Sequence, residues 1–247
     1  MGAMFIGFGT VANVVTVAVG AILGLLLGNR IPERTRDTVT DVLGMVTLVL
    51  GVQSALVVTS DALRAEVGSA GVLVVLGSLL LGALTGSALR IEARLEGVAD
   101  VLRRRLRVRE ESGRFVDAVV TPTLLFCVGP LTILGSLSDG LGRGADQLMV
   151  KAVLDGFAAI AFASTLGWGV LFSALTLGVI QGALTLAGFL FVDLFTAGQI
   201  DALSATGGVI LIGLGLRLLR LKTTPIGDLL PALVFAPILV WVVAAFV

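Results

Sequence analysis

A chain of 247 residues in which 57% of side chains are hydrophobic and only 14% are charged, with a mean hydropathy of +1.08, is too apolar for a water-soluble domain, where about 25% of residues are charged. The sequence is that of an integral membrane protein. Its 17 basic and 17 acidic residues cancel, so no net field draws in nucleic acid. With no His, no Tyr and Cys127 as the single Cys, the chain lacks the parts for His-ligated haem, His/Cys zinc sites, His-based triads and intramolecular disulfides.

A crossing helix needs roughly 20 mainly apolar residues, and uncharged stretches at residues 1–29, 42–60, 67–89 and 118–138 predict four of them. The first lacks a basic n-region and exceeds the usual 7–15-residue core of a secretory signal, so it reads as a retained helix. Residues 156–192 are also uncharged. As one straight helix they would run about 55 Å against a hydrocarbon core of about 30 Å, so the chain turns back. Gly167-Trp168-Gly169 puts the turn at Gly167 to Ser173, with helices at about 151–169 and 173–194. A seventh helix follows at about 202–219, with Arg217 and Arg220 snorkelling at its end, and an eighth at 229–247. The prediction is an all-α polytopic transmembrane bundle of about eight helices, forming one membrane domain over residues 1–247.

The basic residues test that count. Loops after the odd-numbered helices hold Arg30, Arg34 and Arg36, then eight arginines between Arg90 and Arg114, then Arg217, Arg220 and Lys222, against Arg64, Arg143 and Lys151 opposite. By the positive-inside rule the odd loops are cytoplasmic and both termini lie outside. The outer side also collects more acids than bases, which would concentrate cations there. Within the cytoplasmic segment 90–117, Leu95, Val98, Leu102 and Leu106 recur at helical spacing beside Arg103, Arg104, Arg105 and Arg107, predicting a basic amphipathic linker. Such a helix recognises anionic lipid, or simply connects two spans along the interface.

Several motifs stand in order along nearly the whole chain. They are Gly20-x-x-x-Gly24-x-x-x-Gly28 with Pro32-Glu33-Arg34-x-Arg36, Phe126-Cys-Val-Gly-Pro-Leu-Thr-Ile-Leu-Gly135 with Asp139-Gly140, Lys151-Ala-Val-Leu-Asp-Gly-Phe157 with Phe162-Ala-Ser-Thr-Leu-Gly167, Gly207-Gly208 with Gly213-Leu-Gly-Leu-Arg217, and Leu230-Pro-Ala-Leu233. The ordered set resembles the bacterial multi-pass membrane family catalogued as domain of unknown function 554. The resemblance implies a helical protein of the bacterial inner membrane; it carries over no catalytic residue and no cofactor.

The residues themselves point to a few places of interest. Glycines at 20, 24 and 28, at 82 and 86, and at 178 and 182 form small-residue ridges for close helix packing. Pro130 interrupts the fourth helix and cannot donate to the carbonyl of Phe126, so Thr132, Cys127, a neighbouring helix or water must satisfy that acceptor; broken helices of this kind also mark transporter sites. Asp155, with Lys151 one turn earlier, is a carboxylate about one and a half turns inside its predicted helix, and Asp193 lies near the end of the next. Asn13, Gln53 and Gln181 add amides within the core. A charge at the centre of a crossing helix costs about 2.5–3.5 kcal/mol on insertion scales, so Asp155 should face protein, water or a partner; pairing with Lys151 is the structural alternative. Gly44 to Gly51 and Gly208 to Gly215 share a spacing, as do Gly20-x-Ile-x-Gly24 and Gly178-x-Ile-x-Gly182. The members of each pair stand five places apart in the helix order, an odd offset that reverses direction, so one reading is an inverted repeat and the other is coincidence in a Gly-rich chain.

These features favour a secondary transporter or permease for a small solute or ion, with Asp155, Asn13, Gln53, Gln181, Pro130, Thr132 and Asp193 as pathway residues. The alternative is a non-catalytic scaffold or sensor acting through the basic linker. No Walker-type phosphate loop occurs, and no nucleophile with a base, or pair of carboxylates, is placed for intramembrane enzyme chemistry.

Overall fold

The computed structural model describes residues 5–28, 32–94, 97, 101, 112–127, 130–142, 144–190 and 195–246. The helices are α1 (Phe8–Gly28), α2 (Glu33–Leu56), α3 (Asp61–Val67), α4 (Gly71–Leu89), α5 (Ser112–Cys127), α6 (Pro130–Gly140), α7 (Asp146–Leu166), α8 (Gly169–Leu190), α9 (Ala197–Leu218) and α10 (Ala232–Ala244). Among the described residues there is no strand. Among the described residues, seven helical segments are long and apolar enough to cross a membrane. The shorter helices α5 and α6, which lie on either side of residues 128–129, together are consistent with an eighth crossing.

Burial is inside out relative to a water-soluble protein. Asn13, Gln181, Thr132, Ser136 and Thr206 are fully buried, whereas Leu26, Phe157, Leu175 and Trp241 stand about two-thirds or more exposed. Only a hydrocarbon surround makes that arrangement favourable, so this is a multi-pass membrane protein whose outer surface meets lipid.

Several boundaries differ from the sequence expectation. The third candidate span runs from Asp61 to Leu89, longer than the expected 67–89, and is jointed: Ser60 caps the short helix α3 by accepting from Leu63 N (3.1 Å), Gly68 adopts φ +58 at its end, and α4 starts at Gly71. The fifth begins at Asp146, not near 151, with an acid in its first turn where the helix dipole favours one. Its end is at Gly167, φ +92, and α8 restarts two residues later. The turn is thus tighter than Gly167 to Ser173: Gly169 is already helical and packed, since a Cβ there would lie 2.7 Å from the Phe115 carbonyl oxygen.

The described helices gather into two compact units. In the first, α1 runs parallel to α7, with Gly20, Gly24 and Gly28 facing Gly156, Ile160 and Ser164 in step. The helices α5 and α6 run parallel to α8, where Gly169 meets Phe115 and Gly188 meets Leu137. α1 and α8 are antiparallel, as the contact of Val14 with Gly178 places Asn13 beside Gln181 and Thr10 beside Thr185. In the second unit, Gly51 abuts Gly208 and Gly44 abuts Gly215, so α2 from Gly44 onward lies antiparallel to α9. Gly82 meets Ala232 and Gly77 meets Leu239, making α4 antiparallel to α10. Leu63, Val67, Val74, Ala202, Ala236 and Val240 form the core there. Every one of these directions fits eight alternating crossings.

Candidate functional site

The first unit concentrates polar groups on faces that its small residues bring close together. On α7 the buried face reads Leu148, Lys151, Ala152, Asp155, Gly156 and Ala159, while Val150, Val153, Leu154 and Phe157 turn outward. On α1 Thr10 and Asn13 are three residues apart, and on α8 Gln181 and Thr185 are four apart, so each pair stacks on one helix face. Backbones that approach at glycine leave these side chains within direct reach of one another.

The hub is Asp155. Its Oδ2 accepts from Lys151 Nζ, a turn earlier on α7, and from Asn13 Nδ2 at 3.0 Å. The other hydrogen of Asn13 Nδ2 goes to Gln181 Oε1, also at 3.0 Å. Lys151 is 5% and Asp155 8% exposed, so the pair is inside the protein and not at a wet surface. With α7 starting at Asp146, Asp155 sits near the middle of its helix, about 14 Å along it, deeper than the one and a half turns expected from sequence. The Lys151 ammonium also lies 5.9 Å from the centroid of the Phe126 ring, which stacks edge-on against Phe126's neighbour Phe162 at 6.3 Å.

The seam continues toward the start of α1. Thr10 Oγ1 and Thr185 Oγ1 are hydrogen-bonded at 2.9 Å. Beyond them Asp139, 3% exposed, accepts from the backbone N–H groups of Gly7 (3.2 Å) and Gly9 (3.1 Å), satisfying donors that the first turn of α1 leaves free. Among the described residues, two buried amide atoms of the cluster have no hydrogen-bond partner: Asn13 Oδ1 and Gln181 Nε2, both on fully buried residues.

Of the residues singled out from sequence, Asn13, Asp155 and Gln181 therefore meet directly. Thr132 is fully buried, and its hydroxyl donates to the Phe126 carbonyl oxygen at 2.8 Å, filling the acceptor that Pro130 at the head of α6 cannot serve. Gln53 is exposed on α2 and belongs to the second unit. Asp193 and the basic cluster Arg103, Arg104, Arg105 and Arg107 lie outside the described residues. Sequence reasoning missed Thr10, Thr185 and the capping role of Asp139. The i+3 and i+4 recurrence of polar residues along apolar helices was the available signal for the two threonines; a carboxylate that caps a helix 130 residues away left none.

Two carboxylates of the second unit act as clasps. Glu66 accepts from Gly198 N (3.0 Å) and Thr196 Oγ1 (2.8 Å) at the start of α9. Glu92, where the chain leaves α4, accepts from Arg217 Nη1 (2.6 Å) and Gly227 N (2.5 Å) and donates its own N–H to Asp228 Oδ1 (2.9 Å).

The family described as "Protein of unknown function (DUF554)" matches residues 8–241, from the first residue of α1 into α10. The chain belongs to this family. It is 33% identical over 231 residues to the "Uncharacterized protein YqgA" of Escherichia coli (strain K12), covering 92% of this chain and 94% of that protein. To the "Uncharacterized membrane protein YdfK" of Bacillus subtilis (strain 168) it is 27% identical over 239 residues, covering 97% and 98%. No solved structure matches. As a DUF554 chain that matches its relatives almost end to end, it carries the polar seam of α1, α7 and α8 wholly within the span that defines the family.

Proposed function

We propose that this DUF554 protein is a secondary transporter or permease of the bacterial inner membrane, with both termini outside the cytoplasm and with Asp155 at the centre of its pathway. The observation that carries the reading is the buried Lys151–Asp155–Asn13–Gln181 cluster near the middle of α7. Polar and charged groups are expensive at this depth, and a fold that retains four of them in contact has a use for them. Two further features support it. The fourth crossing carries Pro130 at the start of α6, and crossings one, two and three each lie antiparallel against six, seven and eight, as an inverted repeat requires. The motif match is partial: Gly44 to Gly51 packs on Gly208 to Gly215, but Gly20 and Gly24 pack on α7 while a Cβ at Gly182 would meet nothing within 4 Å.

A structural ion pair is the competing account of Asp155, and a double variant separates the two. Removing one partner of a buried pair costs about 3–5 kcal/mol, whereas neutralising both restores much of that loss. In reconstituted vesicles, Asp155→Asn and Lys151→Gln are each expected to lower the melting temperature. The pair Asp155→Asn with Lys151→Gln recovers stability, yet solute or cation flux stays abolished. A stable double variant with intact flux would overturn the pathway assignment. The alternative of a scaffold or sensor draws on the Glu92 clasp, which ties the root of the basic linker to the end of α9 and to the turn at Ile226–Leu229 ahead of α10; absence of flux across a broad ion and metabolite panel would favour it.

A further inference from the structure

The two unfilled valences of the seam say more than that a polar group is buried. Amide orientation here is set by the network. Turning Asn13 over would aim its oxygen at the Asp155 carboxylate, and turning Gln181 over would aim one NH₂ group at another, so both amides are locked by their partners. Among the described residues, the amide atoms of the pair left with no hydrogen-bond partner are therefore one acceptor, Asn13 Oδ1, and one donor group, Gln181 Nε2, on fully buried side chains of two helices in direct contact. Leaving such groups unmatched is costly, and each is complemented by the opposite group on a ligand. The nearby charges are one of each sign, Lys151 and Asp155, already paired with one another, while Asp139 is occupied by the amides of Gly7 and Gly9. Because Lys151 and Asp155 neutralise one another, the pair offers a solute no net charge.

We propose that Asn13 Oδ1 and Gln181 Nε2 form the recognition pair for a small uncharged solute that presents an N–H or O–H donor beside a carbonyl acceptor, the edge of a primary amide or a urea. This deepens the transport reading and rests on it. The ligand's N–H meets Asn13 Oδ1, and its carbonyl oxygen accepts from Gln181 Nε2. The paired Lys151 and Asp155 hold Asn13 in register without offering a net charge.

The test uses the full chain in proteoliposomes, with acetamide and urea as neutral probes, acetate and sodium as charged ones, and water permeability followed in parallel. Acetamide and urea entry should exceed that of protein-free vesicles by at least about tenfold, with no gain for acetate or sodium. Gln181→Glu is the diagnostic variant, because it keeps an oxygen to accept from Asn13 while replacing the free donor by a second acceptor. It should lose amide flux and gain sodium flux, a change of selectivity that a merely structural role would not produce. Gln181→Met, which removes both groups, should lose amide flux without gaining any other, and covers the case in which Gln181→Glu fails to fold. Sodium flux without amide flux in the wild type would overturn the inference and leave the transport reading standing. Faster water movement alone would assign the two valences to a bound water and overturn it too. No movement of any probe would overturn both.

Discussion

Asp139 shows how a single side chain can finish a helix that lies far away in sequence. Its carboxylate holds the N–H groups of Gly7 and Gly9, and at 3% exposure no solvent replaces it. Asp139→Ala leaves one buried donor, Gly9 N, and one half-buried donor, Gly7 N, without their acceptor, so it should lower stability by about 1–3 kcal/mol, read as a fall in melting temperature of the purified protein. Asp139→Asn, which keeps one oxygen acceptor, should cost less than half as much. Thr132 is the second such case. Thr132→Val keeps the shape but frees the Phe126 carbonyl in a dry interior, and is expected to destabilise by about 1–3 kcal/mol. The role of Thr132 was legible in the sequence because Pro130 names the carbonyl it orphans. That of Asp139 was not, because a trans cap has no spacing.

At the scale of helices, glycine does two different jobs, and substitutions separate them. Gly24 lies against the backbone of α7 so closely that a Cβ would come within 2.8 Å of the Ala163 Cβ, while Gly182 has nothing within 4 Å. Gly24→Val should therefore break the α1–α7 contact and yield a protein that fails to purify as a monodisperse species. Gly182→Ala should stabilise by about 0.5–1 kcal/mol through helix propensity alone, seen as a rise in melting temperature. The sequence motif makes these two positions look alike. Existence and approximate span of the eight crossings could be read from charge-free lengths, since hydrocarbon thickness sets that length. Partnership could not: Gly20 and Gly24 found α7 instead of the helix with the matching motif, because any small face accepts any other of fitting curvature.

For the whole molecule, alternation is the strongest constraint. Eight crossings put both ends of the chain on one side, and the orientation proposed above from the basic asymmetry takes that side as the outside. Reporter fusions at residue 105 should be cytoplasmic and those at either terminus external; opposite locations for the two termini would require an odd number of crossings. That Asn13, Asp155 and Gln181 belong together was legible only as a shared type, polar residues where lipid forbids them, and became a site once helix direction brought α1 and α8 face to face. The bond from Asn13 to Gln181 spans 168 residues, and that to Asp155 spans 142. At ribosomal speeds of about 5–20 residues per second, Asn13 emerges roughly 10–30 s before the chain that will hold its amide. During that interval α1 carries an unmet amide in the bilayer, and its only remedies are to stay beside the insertion machinery or to borrow another polar partner. Birth order thus leaves the first helix incomplete until α7 and α8 have been made, and a nascent chain stalled before residue 155 should be a ready substrate for membrane quality control.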